Sequence, residues 1–288
     1  MTRRILDLEW PFDLARTVAP VWWGRGRWPN VDWRDGTLFW VGWEADSLVW
    51  RSVTQRGPSS LAVEASASAG SDRDWASRVL GVDAAMPEFT DPVLKTLSAM
   101  YAGLGMWAAG SLYEGFVSSV IGQSISVAAA AVTERRFCEI FHPGLDLAGR
   151  RFWPVPRPAQ LAETDPQITR ASGITSVRAA ALREVGIAFA DQAWGELTRG
   201  GPEIRSRAES LLRVRGIGRW TVESALLWGV GDSDAHPSGD VALLRAAKVH
   251  FPALASLADL DRHAEAWSPH RAWAARLLWL NLLGYASS

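Results

Sequence analysis

The sequence predicts a mostly α-helical protein that opens with a small α+β domain. Three observations carry this. Residues 37–66 hold aromatic and β-branched runs separated by short turns, the pattern of an antiparallel sheet. From Asp91-Pro92 onward, apolar residues recur at three- and four-residue spacing, the helical period. Leu211–Thr221, Leu-Leu-Arg-Val-Arg-Gly-Ile-Gly-Arg-Trp-Thr, reads as a helix, a tight Gly-Ile-Gly turn and a second helix starting near Arg219.

Taken in order, Pro11 to Val18 reads as a short helix. Thr37–Trp43 and Ser47–Val53 read as strands joined by Glu44-Ala-Asp46, and Ser60–Ser66 as a third strand. Ser71 caps a helix that carries Trp75, Val79 and Leu80 and stops at Gly81. Asp91-Pro92 is an N-cap and first-turn pair. Helices follow at Glu114–Gln123 and Ser126–Phe141, broken by Gly122-Gln-Ser-Ile-Ser126. Phe152–Pro158 is a proline-rich connector. Further helices are expected at 165–171, 176–190, 202–213 and 220–229. Asp240 opens another, to His250, and Ser268-Pro269 begins the last, which ends at Gly284.

Length and composition narrow the function. A chain of 288 residues holds two domains or three lobes. No segment is apolar for long enough to span a bilayer, and charge at Asp7 and Glu9 argues against a signal peptide. The expectation is a cytoplasmic, nucleoid-associated bacterial protein with no membrane partner. Cys138 is alone, which excludes an internal disulfide and any four-cysteine cluster. The histidines show no metal-ligand spacing, so no metal is expected, and surface or capping roles suit His236, His250, His263 and His270. Net charge is −1, so basicity is local: six arginines lie between Arg199 and Arg219 against Glu203 and Glu209. The chain also has 17 tryptophans and two lysines, Lys95 and Lys248.

The hairpin is a candidate anion grip. Gly216 and Gly218 permit positive φ and close backbone approach, and free N–H groups at a helix start attract a phosphate. Arg215, Arg219 and Thr221 belong to the same surface; a solvated arginine face is the plain alternative. Nineteen residues past Thr221 stands Asp240. A phosphate grip followed by one carboxylate suggests chemistry on a nucleic acid. Asp240 also reads as a cap for the helix that follows it, or as an acid favouring that helix's dipole beside a capping Ser238. A cap and a rigidly held catalytic acid are compatible.

Leu211–Thr221 followed by Asp240 resembles the helix-hairpin-helix DNA glycosylases with a Gly/Pro-rich loop and a catalytic aspartate. Within them it is most similar to the AlkA-type alkylbase branch. Val120–Ser126 and Trp153–Ala162 resemble further segments of that family, and the match covers roughly residues 90–288. The resemblance implies a small α+β domain (1–90), a helical lobe with the hairpin (112–231), and a second lobe (91–111 plus 232–288) carrying Asp240 beside a cleft. It implies a monofunctional glycosylase that flips an N3- or N7-alkylated purine out of double-stranded DNA and hydrolyses its glycosidic bond. No organic cofactor is implied; a monovalent cation on the hairpin carbonyls, between Leu212 and Gly218, is. A monomer is expected.

The same resemblance assigns residues. Trp220 stands where glycosylases that also nick the backbone carry a lysine, and tryptophan forms no Schiff base, so no lyase step is expected. Trp279 matches a base-stacking tryptophan, with core packing as the alternative. Ser124 stands where relatives place a wedge that fills the hole left by the base; Gln123 or Ile125 are the substitutes. Ser224 and Val241 replace pocket aromatics, for which Trp22, Trp23 or Trp28 would compensate. Two rivals remain: a glycosylase for a deaminated or bulky alkylated base, and a DNA-binding module without catalysis.

Overall fold

The alternation in the N-terminal segment builds a five-stranded antiparallel sheet in the order β1-β5-β4-β3-β2, seen in a computed structural model that describes residues 2–24, 26–67, 69–190 and 202–284. Its strands are β1 (Thr2–Asp7), β2 (Val31–Arg34), β3 (Thr37–Glu44), β4 (Ser47–Gly57) and β5 (Ser60–Ala65), with α1 (Leu14–Thr17) and α2 (Ala19–Trp23) between β1 and β2. β3 and β4 join through a two-residue turn at Ala45, φ 50°, and Asp46, the left-handed geometry tight hairpins prefer. Leu38, Trp40, Val49 and Val53 point inward and pack on α3 (Asp72–Leu80), which Ser71 caps and Gly81 ends at φ 68°. The outer strands β1 and β2 add to the three strands expected. β1 is charged and mostly exposed, so it lacks the apolar alternation that reveals a strand.

The helical part contains α4 (Pro92–Met100), α5 (Leu112–Gly122), α6 (Val127–Phe141), α7 (Pro158–Glu163), α8 (Pro166–Thr169), α9 (Ser176–Ala190), α10 (Pro202–Ser210), α11 (Arg219–Ala225), α12 (Val241–Lys248), α13 (Leu257–Ala264) and α14 (Arg271–Leu282). A small hairpin, β6 (Leu145–Leu147) and β7 (Arg150–Phe152), follows α6. The mostly α fold with a small sheet domain is as the sequence implied. Several local details differ. α13 was not anticipated, although Ser256 and Asp259 form a capping box. The last helix starts at Arg271 because Ser268 Oγ donates to Asp234 Oδ2 at 3.0 Å instead of capping. α11 runs into a π-helical turn over Leu226–Val230.

Two cores meet at Trp228, which packs against both. The N-terminal core includes Trp107, so the segment 91–111 serves both halves: Leu94 and Leu97 face the helices while Trp107 faces the sheet. α5 crosses the π-helical turn at van der Waals contact. A Cβ on Gly115 would lie 2.7 Å from Gly229 Cα, so both positions exclude a side chain.

Candidate functional site

The hairpin forms as the residues suggest. Gly216 adopts φ 95°, and a Cβ there would also press on Val177 Cγ1 at 2.9 Å. Gly218 behaves otherwise: its φ is −109°, and nothing lies within 4 Å of its would-be Cβ. Its missing side chain leaves open space at the start of α11. Ile217, between them, is buried and plugs the turn into the core. Arg213, Arg215, Gly216, Gly218 and Arg219 are exposed, and none of these arginines has an ion pair among the described residues. Arg205 and Arg207 differ, being paired with Glu223, Asp232 and Glu203, while Arg199 lies outside the described residues.

Asp240 is the N-cap of α12. Its Oδ1 accepts from Leu243 N at 2.8 Å and its Oδ2 from Trp220 Nε1 at 3.2 Å. With a donor on each oxygen, the half-buried carboxylate is fixed in rotation and faces the hairpin helix. The loop that leads to it is anchored four ways. Arg205 donates to Asp232 Oδ1 at 3.0 Å and Glu223 Oε1 at 3.0 Å. Arg271 grips Asp234 with two bonds of 2.8 and 2.7 Å. Glu223 Oε2 accepts from His236 N at 3.0 Å. Asp261, on α13, takes His236 Nε2 at 2.8 Å and Ser238 Oγ at 2.6 Å. His236 is therefore buried and paired rather than on the surface. Residue types alone gave no sign of these anchors.

Other expected roles need correction. Gln123 was a substitute wedge, but its Nε2 donates to Gly216 O at 2.7 Å and to Thr221 Oγ1 at 2.8 Å. That ties the α5–α6 loop to the hairpin, helped by Arg178, whose Nη2 donates to Gln123 O. Thr221 is 2% exposed and braces the hairpin from behind; it offers nothing outward to a phosphate. Ser124 sits at the loop tip with φ 52°, beside Ile125, and both are exposed. Val241 is 70% exposed, because it opens α12 on the solvent side. Ser224 is 2% exposed, faces inward on α11 and has no hydrogen-bond partner for Oγ among the described residues. Trp279 is 9% exposed and stacks on Trp228 with ring centres 5.5 Å apart, so one face is already covered. Trp28 is buried in the same cluster, 5.8 Å from Trp228 and 4.3 Å from Trp107, while the Trp22 side chain lies outside the described residues.

Beneath the α5–α6 loop lies a charged cluster. Arg27, 17% exposed, donates to Ser118 O at 3.0 Å and faces Glu134 at 3.9 Å. A Cβ on Gly122 would fall 2.4 Å from Arg27 Nη2, so glycine makes room for the guanidinium. Burial lowers the Arg27 pKa, and Glu134 and Asp240 both oppose that with their charges. Burial pushes Glu134 up to about 7, against the pull of Arg27 and Ser118. Burial and the neighbouring Glu134 push Glu114 up to about 8.

No protein-family model matches the chain. It is 30% identical over 194 residues to DNA-3-methyladenine glycosylase 2 of Escherichia coli, covering 67% of this chain and 66% of that one. It is 28% identical over 162 residues to a DNA-3-methyladenine glycosylase of Bacillus subtilis, covering 55% of this chain and 52% of that one. The chain thus spans between half and two thirds of the length of these relatives. Its fold matches that of a 3-methyladenine DNA-glycosylase from Archaeoglobus fulgidus over 100% of both chains, with a TM-score of 0.79 at 18% identity.

Proposed function

We propose that the chain belongs to the AlkA-type helix-hairpin-helix glycosylases, whose fold it shares, and that it hydrolyses the N-glycosidic bond of alkylated purines in double-stranded DNA. The observation that carries the proposal is the Asp240 carboxylate, held on both oxygens by Trp220 and Leu243 at the foot of an exposed, arginine-flanked hairpin. As the base leaves, positive charge grows on the deoxyribose. A preorganised carboxylate stabilises it and orients the attacking water. The open space at Gly218 and the free arginines 215 and 219 suit a phosphate next to the flipped nucleotide. Exposed Ser124 and Ile125 are the candidates for the wedge, on a loop whose register Gln123 fixes.

Water is the nucleophile in this reading. The side chain beside Asp240 is an indole, and both lysines are exposed elsewhere, Lys95 on α4 and Lys248 at the far end of α12. A monovalent cation on the hairpin carbonyls would share Gly216 O with the Gln123 amide. The protein acts as a monomer on one lesion at a time. The test is release of methylated purines from duplex DNA by wild type and Asp240→Asn, with products identified by mass. Release by wild type alone supports the reading; DNA binding without release by either leaves a binding module.

One observation favours a second lesion class. Arg27, donating to Ser118 O, places positive charge close enough for Asp240 to act on it. A cationic base gains less there than a neutral one, which favours deaminated purines. Release of hypoxanthine in competition with 3-methyladenine decides between them.

A further inference from the structure

A groove of about 600 Å³ lies between the N-terminal sheet and the β6–β7 hairpin, and Asp240 is not among the residues that line it. Its floor is apolar, made by Val21, Val31 and Phe152. Trp33 and Trp153 stand half-exposed at its sides, and Arg135 and Arg150 edge it. An apolar floor with aromatic sides and a cationic rim suits a planar ring bearing an anion.

The polar groups refine this. Arg150 is held by Asp32 at 2.7 Å yet stays largely exposed. Arg135 is 48% exposed; its nearest carboxylate is Glu139 at 3.9 Å, and its guanidinium sits 5.9 Å from the Trp153 ring centre. Asp32 contributes one further feature: its Oδ2 is buried and accepts no hydrogen bond among the described residues. A buried acceptor without a donor is costly unless a ligand supplies one. The exocyclic amine of cytosine or adenine is such a donor, whereas thymine has none.

We propose that this groove is a second binding site, for a single nucleotide with an amino-bearing base. The base lies against Trp33 and Trp153 with its amine toward Asp32 Oδ2, and the phosphate meets Arg135 and Arg150. The nucleotide has two sources, an unpaired stretch of the DNA strand or free nucleotide. Arg135 is nine residues along α6 from Ser126, about 13 Å at 1.5 Å per residue, so a strand leaving the α5–α6 loop reaches the groove within a few nucleotides. That strand source rests on the DNA reading above; the free-nucleotide source does not.

The experiment is calorimetric titration of the full chain with dCMP, dAMP, dTMP, deoxycytidine and inorganic phosphate, beside binding of a blunt duplex and the same duplex with an oligo-dC overhang. Expected results are dCMP and dAMP binding at least threefold tighter than dTMP, deoxycytidine and phosphate. Arg135→Glu and Trp33→Leu should each weaken dCMP about tenfold, and Asp32→Asn should erase the preference over dTMP. Trp153→Leu replaces Trp33→Leu if the latter does not fold. A tenfold gain from the overhang, lost in the variants, assigns the strand as source; nucleotide binding without that gain assigns free nucleotide. Phosphate binding as tightly as dCMP, or no binding of any nucleotide and no overhang gain, overturns the site. Base release from a blunt methylated duplex, run on the same samples, should be unchanged by Arg135→Glu. Its absence in wild type would count against the glycosylase reading and leave the nucleotide titrations to judge the groove.

Discussion

The Trp220 indole N–H meets Asp240 Oδ2 at 3.2 Å, linking the hairpin helix to the cap of α12. In the proposed reaction, the residue that offers no amine nucleophile therefore also orients the acid. Trp220→Phe keeps the ring and removes the donor. Single-turnover base release should fall about tenfold, in line with one lost hydrogen bond to a charged group of about 1.5 kcal/mol. Duplex affinity should stay within twofold, as read by anisotropy.

The two hairpin glycines should separate stability from binding. Gly216→Ala faces a positive φ and the Val177 contact, so it should cost about 1–2 kcal/mol in urea unfolding. Gly218→Ala has ordinary φ and open space, so its unfolding free energy should barely change. Its added methyl stands where a strand would approach, and DNA affinity should fall several-fold.

Gln123→Ala removes both bonds that fasten the α5–α6 loop to the hairpin. Duplex affinity should drop about tenfold. With Gly216 O released, potassium replacing a bulky organic cation at constant ionic strength should rescue the variant more than wild type. Equal responses would separate the cation from this carbonyl.

Half-buried Glu114 gives a pH signature. Its pKa rises from 4.5 to about 8 on folding. Below 4.5 both states hold the proton and stability is full. As pH climbs toward 8 the unfolded chain ionises first, so stability falls, by up to about 1.4 kcal/mol per pH unit. Glu114→Gln cannot ionise. Its unfolding free energy relative to wild type should increase steadily from pH 5 to 8, measured by urea titration at each pH.

Arg205 neutralises two carboxylates that are about nine-tenths buried, Glu223 and Asp232. Arg205→Met should cost about 2–3 kcal/mol, below a fully buried pair because Arg205 itself is a quarter exposed. It should also slow base release by loosening the loop that carries Asp240. Asp261→Asn should slow release with a smaller loss of stability.

The hairpin and Asp240 could be read in the sequence because their pattern is local: glycine spacing, flanking arginines and a cap at the next helix start. The anchors could not. Arg205 meets Asp232 across 27 residues, Arg271 meets Asp234 across 37, and Asp261 meets His236 across 25. Gln123 is a case of the same kind. Its partner carbonyl is 93 residues away, and position in a loop says nothing of a tertiary bond. Trp279 and Ser224 were assigned by position, whereas packing against Trp228 and α5 decides what they expose.

The indole cluster at Trp228 has a mechanical consequence. Trp28 from the sheet domain, Trp107 from the connecting segment and Trp279 from α14 all converge on it, and Arg276 lies 4.2 Å over its ring. Sheet and helices are packed together through these rings. In the proposed reaction the duplex would then supply the deformation that brings a nucleotide to Asp240, and bases would be sorted partly by how readily the helix around them yields.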